Sequence, residues 1–265
     1  MDLGFFAQNG YQLIDDLFLA AELEPVRRFL DDEREASLAT VRVHLPFESD
    51  ADLFSQITRL LKDRARFEAL PHQVRNVLSG HFRLEARLSP ILSGLARSSR
   101  LREVLGEVFG ARPLRMHMPP VARFVLPGND FAGVPAHQDL SYNKHLAELV
   151  TMWVPLSEID DACGGVAVFH GSGDCSELAT ASDDGFWLEA LDTSAYEKRH
   201  VTAQPGQGLL LNSRIVHESM PNRSERVRTS IDFRFFAAPT TSTKHYLDMS
   251  SWQVVAPPSE RDESK

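Results

Sequence analysis

The chain has 265 residues, 43% of them hydrophobic and 25% charged, the balance of an ordinary globular protein with a sizeable core. A formal net charge of −9 leaves no basic surface to neutralise a phosphate backbone, which argues against nucleic acid as a partner. No apolar run approaches the roughly 18–20 residues that a membrane-spanning helix needs, so a membrane partner is not expected either.

The chain opens Met1-Asp2-Leu3, without the basic segment and apolar stretch of a secretory signal. Residues 11–14, Tyr-Gln-Leu-Ile, read as a strand. Leu17, Ala20, Ala21, Leu23 and Val26 then recur at helical spacing, with Asp15 and Asp16 as candidate caps. Residues 54–61 read the same way, as do Leu88, Ile91, Leu92, Leu95 and Leu101, so residues 1–112 form a mainly helical flank. From 113 to 240 the pattern changes to short apolar runs broken by Gly, Pro, Asn and Asp: 121–126, 149–156, 165–169, 208–211, 215–216 and 227–236. Helices first and strands second predict one α+β domain over residues 1–256, its helices packed on one side of a mostly antiparallel sheet. Residues 172–200, polar and small around Phe186-Trp187-Leu188, interrupt the strands and are a candidate substrate lid. Residues 257–265 read as a disordered tail. Cys163 and Cys175 are the only cysteines; free thiols in a cytoplasmic protein are the simpler expectation, and a single bridge between them is the alternative.

Three segments carry chemistry. His137-Gln138-Asp139 places an imidazole and a carboxylate two residues apart, on one side of an extended chain, where both can reach one ion. With 10 His in the chain this pair alone is a weak signal. His217 follows the apolar run Leu209-Leu210-Leu211, with Asn212 between them as a polar group near the site. Eleven residues after His217 comes Arg228-Thr229-Ser230, whose first and third residues share one strand face and offer a guanidinium fork and a hydroxyl to a carboxylate.

In this order the segments resemble the phytanoyl-CoA dioxygenase superfamily of iron(II)/2-oxoglutarate oxygenases. The similarity runs from about Gly10 to about Phe236. It takes in Gly10-Tyr11-Gln12-Leu13-Ile14, His137/Asp139, Trp153-Val154-Pro155-Leu156, Gly164-Gly165-Val166, Gly171-Ser172, and His217 with Pro221-Asn222-Arg223-Ser224. One departure is His170-Gly171-Ser172-Gly173, where the family often has Gly-Ser-His. The resemblance implies a double-stranded β-helix, a cupin-like jelly-roll with iron at its mouth. It implies His137, Asp139 and His217 as metal ligands, Arg228 on the distal carboxylate of 2-oxoglutarate with Ser230 assisting, and Trp153 along the cosubstrate pocket. Two imidazoles and one carboxylate leave open positions for a 2-oxo acid and O₂. Asp139 stands where related halogenases have a small residue, which points to hydroxylation or another oxidation of a small-molecule substrate.

Arg123 and His117, on a predicted strand bordering the cavity, are candidates for cosubstrate or substrate contact. Tyr142 and Lys144, after the metal pair, are candidate substrate residues, as are Trp187 and Arg199 in the insertion. A cupin-type metalloenzyme that does not use 2-oxoglutarate and a non-catalytic ligand-binding jelly-roll are the alternatives. Monomer and homodimer are both compatible with the sequence.

Overall fold

The computed structural model describes residues 1–45, 53–146, 148–174, 189 and 191–257. A short helix α1 (Leu3–Asn9) ends at Gly10, whose positive φ of 76° turns the chain into strand β1 (Tyr11–Ile14). Helix α2 (Ala20–Arg42) buries Leu23, Val26, Leu30, Leu38 and Val41, a stripe at spacings of three, four and eight. Its start lies later than the aspartates predict. Leu19 is the N-cap residue and Glu22 reaches back to accept from its backbone N–H at 2.8 Å. Asp15 instead accepts from Gln207 at 2.5 Å. Short helices follow: α3 (Leu53–Leu60), α4 (Arg64–Glu68), α5 (His72–Leu78), α6 (Leu84–Arg87), α7 (Pro90–Gly94) and α8 (Ser99–Phe109). The periodic run from Leu88 to Leu101 is thus divided between α7, a 3₁₀ turn and α8, with Leu88 and Ile91 exposed.

The strands are β2 (Leu114–His117), β3 (Val121–Val125), β4 (Val150–Pro155), β5 (Gly165–His170), β6 (Glu197–Val201), β7 (Gly208–Asn212), β8 (His217–Met220), β9 (Arg228–Ala237), β10 (Tyr246–Asp248) and β11 (Gln253–Val255). The larger sheet runs β1-β7-β4-β9-β2-β10-β11, with β3 also on β9, and the smaller runs β6-β5-β8; every pairing is antiparallel. Together the two sheets make the expected jelly-roll.

Strand β9 shows how the sequence divides inside from outside. Ile231, Phe233, Phe235 and Ala237 join the core beneath the helices, together with Val150, Met152 and Val154 of β4. The alternate residues Arg228, Ser230, Asp232 and Arg234, with Thr151 and Trp153 of β4, line a cavity between the sheets. A two-residue period forces this: polar side chains at 228, 230, 232 and 234 all face the side opposite the apolar ones.

Two expectations change. Residues 215–216 are not a strand: they close the passage by which the chain leaves the larger sheet after β7 and enters the smaller sheet at His217. The stretch expected as a lid, 172–200, has regular structure at both ends: Ser172–Asp174 is a 3₁₀ turn and Glu197–Val201 is sheet strand β6. Its centre, residues 175–188 and 190 with Trp187 and Cys175, and the tail from 258 lie outside the described residues. No described helix is long and apolar enough to cross a membrane.

Candidate metal and cosubstrate site

His137 and His217 meet as an antiparallel bridge. The backbone N–H of each donates to the carbonyl of the other, at 3.0 and 2.9 Å, which sets both side chains on one side with ring centroids 4.4 Å apart. In each ring Nδ1 lies against a backbone carbonyl two residues back, Pro135 O at 2.8 Å and Ile215 O at 3.1 Å. A carbonyl only accepts, so Nδ1 must donate, and in the neutral ring Nε2 is left bare, free to coordinate an ion.

Asp139 is reached differently from the extended pair the sequence implied. It opens a 3₁₀ turn, Asp139–Tyr142, held by Asn143 Nδ2 donating to its carbonyl at 2.9 Å and by Leu140 N–H donating to Ser213 O at 2.9 Å. Its carboxylate is fully buried. Arg234 donates to Oδ1 from Nη2 at 2.8 Å and from Nε at 3.2 Å, while the Thr151 hydroxyl donates to Oδ2. Ligand atoms of His137, Asp139 and His217 all lie within 4.8 Å of one another, which suits one ion.

The electrostatics favour a cation here. Burial alone would raise the Asp139 carboxyl, but Arg234, His217, His137 and Thr151 outweigh it and hold the group below the usual carboxylate range. Burial and the neighbouring His217 lower His137 to about 3, so this imidazole is neutral across the physiological range.

Arg228 is buried on the same cavity. Its Nη1 donates to Met220 O at 2.8 Å and Cys163 O at 3.2 Å. That seat exists because residue 164 is glycine: with φ of +78°, an added Cβ would stand 2.4 Å from Pro221 O and 2.9 Å from Arg228 Nη1. Burial and Arg123 lower the guanidinium to about 10, which leaves it charged at neutral pH.

Of the other residues singled out in the sequence, Ser230, Trp153, Arg123 and Tyr142 line the cavity. Four do not. Asn212 turns its carboxamide oxygen to the N–H groups of Arg214 and Ile215, at 3.0 and 2.8 Å, shaping the turn that leaves β7. His117 is buried against Ser242, its Nε2 2.8 Å from the hydroxyl. Arg199 pairs with Glu197 at 2.6 Å and donates to Tyr11 Oη at 3.3 Å, and Lys144 is exposed. The cavity instead takes Lys244, which donates to Tyr142 O at 2.8 Å and Asn143 Oδ1 at 2.9 Å. Sequence reasoning also missed Thr151, Asp232, Arg234 and the α5 side of the cavity, His72, Asn76, Ser79 and His81. Asp232 and Arg234 carried a signal, since the face of Arg228 and Ser230 simply continues through them.

The family model for phytanoyl-CoA dioxygenase (PhyH) matches residues 6–230. The chain belongs to the phytanoyl-CoA dioxygenase family. Its cofactor and cosubstrate are iron(II) and 2-oxoglutarate. The donor set fits such an ion: two bare imidazole nitrogens and an anionic oxygen on one side of a cavity. Solved structures of similar fold include HygX from Streptomyces hygroscopicus with nickel, 2-oxoglutarate and hygromycin B bound. It is 17% identical, covers 91% of this chain and 88% of its own, and has a TM-score of 0.56. The non-heme alpha ketoglutarate dependent carbocyclase SnoK from nogalamycin biosynthesis is 17% identical, with 98% and 86% covered and a TM-score of 0.53. The non-heme monooxygenase ThoJ, as its nickel complex, is 14% identical, with 91% and 79% covered and a TM-score of 0.54. No curated protein matches this chain in sequence.

Proposed function

We propose that this family member is an iron(II)/2-oxoglutarate-dependent dioxygenase that hydroxylates an unactivated C–H bond of a small-molecule metabolite. The observation that carries the reading is the placement of His137, Asp139 and His217 on the same cavity as a buried Arg228 that, among the described residues, no acidic side chain pairs. When bound, iron(II) with 2-oxoglutarate supplies oxidation by O₂, with succinate and CO₂ as co-products.

The protein's own part is to bind, orient and keep dry. His137, Asp139 and His217 hold the ion on one face, and their carbonyl, Arg234 and Thr151 contacts fix the ligand orientations. Arg228 presents its remaining N–H groups to the distal carboxylate of the cosubstrate, with Ser230 beside it and Trp153 as an apolar wall. Tyr142 borders the side open to substrate. A cavity of about 400 Å³ suits a small molecule. HygX, which holds hygromycin B, supports a small-molecule substrate, and SnoK is a reminder that this fold also serves carbocyclisation. We take residues 1–256 as one catalytic domain acting in the cytoplasm.

The test is succinate release from 2-oxoglutarate by protein loaded with iron(II) in air, across a panel of metabolites. Stimulation by a compound that gains one oxygen supports the reading. Absence of both basal and stimulated release overturns it.

A further inference from the structure

One wall of the cavity carries polar groups that neither the metal nor the cosubstrate engages. Asp232 lies on β9 between Ser230 and Arg234 and lines the cavity, and among the described residues nothing hydrogen-bonds or ion-pairs with its carboxylate. Arg123, opposite Ser230 on β3, donates from Nη2 to Ser79 O at 3.0 Å and Ala132 O at 2.5 Å, while its Nε–H has no partner. The buried Ser79 hydroxyl also has none. All three residues line the cavity. Two buried donors without a partner, Arg123 Nε–H and the Ser79 hydroxyl, beside the half-buried Asp232 carboxylate call for a ligand that completes them. Burial pushes the Asp232 carboxyl up even though Arg234 and Arg123 pull it down, as fits a group without direct donors.

We propose that Asp232, Arg123 and Ser79 form a substrate subsite for a neutral polyhydroxylated molecule, an inference that rests on the oxygenase reading above. A hydroxyl donates to Asp232, and a neighbouring oxygen accepts from Arg123 Nε–H or the Ser79 hydroxyl. An ammonium is disfavoured because Arg123, Arg228 and Arg234 line the same cavity, and another carboxylate that lines it, Asp139, already holds Arg234. A carboxylate is disfavoured because it meets Asp232, and because two backbone carbonyls take up Arg123 Nη2.

Three sets of compounds test this: methyl glucosides and inositols, the corresponding amino sugars, and the corresponding uronic acids. Binding to the metal-free protein is read by saturation-transfer NMR, and succinate release is read on the holoenzyme. The neutral set is expected to bind and to stimulate release. Asp232→Asn is expected to raise KM for the best neutral compound at least tenfold while the apparent 2-oxoglutarate constant stays within twofold. Ser79→Ala, with a loss of threefold or more, keeps the test alive if D232N fails to fold. Preference for amines or acids, no binding by the neutral set, or a D232N protein that binds neutral compounds like wild type overturns the proposal. If wild type fails to bind 2-oxoglutarate, the oxygenase reading falls, and the NMR comparison still decides the subsite.

Discussion

Arg234 grips Asp139 through two N–H groups on a single carboxylate oxygen, Oδ1, while Thr151 holds Oδ2 from the neighbouring strand β4. The carboxylate proposed to bind the metal is thereby fixed in a cavity where it could otherwise rotate. Arg234→Gln removes both charge and fork. Metal affinity, measured by titrating nickel(II) into metal-free protein, is expected to fall 10–100-fold, the usual effect of losing an outer partner. Arg234→Lys should retain part of it, since the charge survives without the fork. Because Asp139 is left as a buried anion, metal-free R234Q should also lose ~3 kcal/mol of stability, partly restored by nickel. Unaltered affinity in R234Q rules out the clamp.

If Arg228 holds the distal carboxylate of the cosubstrate, as proposed, Arg228→Ala leaves that carboxylate unpaired. The apparent 2-oxoglutarate requirement in the succinate assay should rise at least 100-fold, with far less change in nickel affinity. Arg226 does not substitute, because it is exposed and paired with Glu158 at 2.9 Å and Asp160 at 2.5 Å. An unchanged requirement removes Arg228 from the cosubstrate site.

Gly164→Ala tests the same seat from the backbone side. The added methyl meets Pro221 O and Met220 O in a conformation that already disfavours a side chain. Stability by urea unfolding is expected to drop by ~1–3 kcal/mol, and 2-oxoglutarate affinity should weaken as Arg228 shifts. Wild-type values for both would mean that the loop accommodates the methyl without disturbing Arg228.

His81 and His117 make stability depend on pH. Both are held to about 3, mainly by burial, with Arg123 adding to it for His81 and Lys244 for His117. Unfolded histidine titrates near ~6.5, so between there and about 3 the unfolded chain binds more protons than the folded one. Stability of the metal-free protein is therefore expected to be flat above pH ~6.5 and to fall as the pH drops below it. Urea unfolding at a series of pH values should show a shallower decline for His117→Gln, which can still reach Ser242. A decline as steep in H117Q as in wild type excludes His117 from that role.

What the sequence revealed, and what it hid, follows from distance along the chain. The strand character of β9 and the inward face of Arg228 and Ser230 were legible from a two-residue period, and the same period pointed to Asp232 and Arg234. The meeting of His137 with His217 was legible only through the family pattern, because nothing local to either residue specifies a bridge across 80 positions. Asn212 precedes His217 closely in sequence, yet the turn between them moves the chain from one sheet to the other. Lys144 is near Asp139 in sequence, whereas the lysine on the cavity is Lys244, brought there by the segment ahead of β10. His117 sits on a strand as expected, but alternation alone does not say which face meets the cavity, and Arg199, expected in the insertion, lies on strand β6. The α5 side of the cavity gave no signal, since a helix that lends two side chains to a cavity looks like any other amphipathic helix.

The most direct test of the central assignment is an anaerobic titration of iron(II) and 2-oxoglutarate into the protein, followed by the visible absorption of their complex. Wild type should form one complex per chain, and His217→Ala, folded but missing a ligand, should form none. A complex of equal intensity and affinity in H217A would contradict the assignment of His137, Asp139 and His217 to a single iron site.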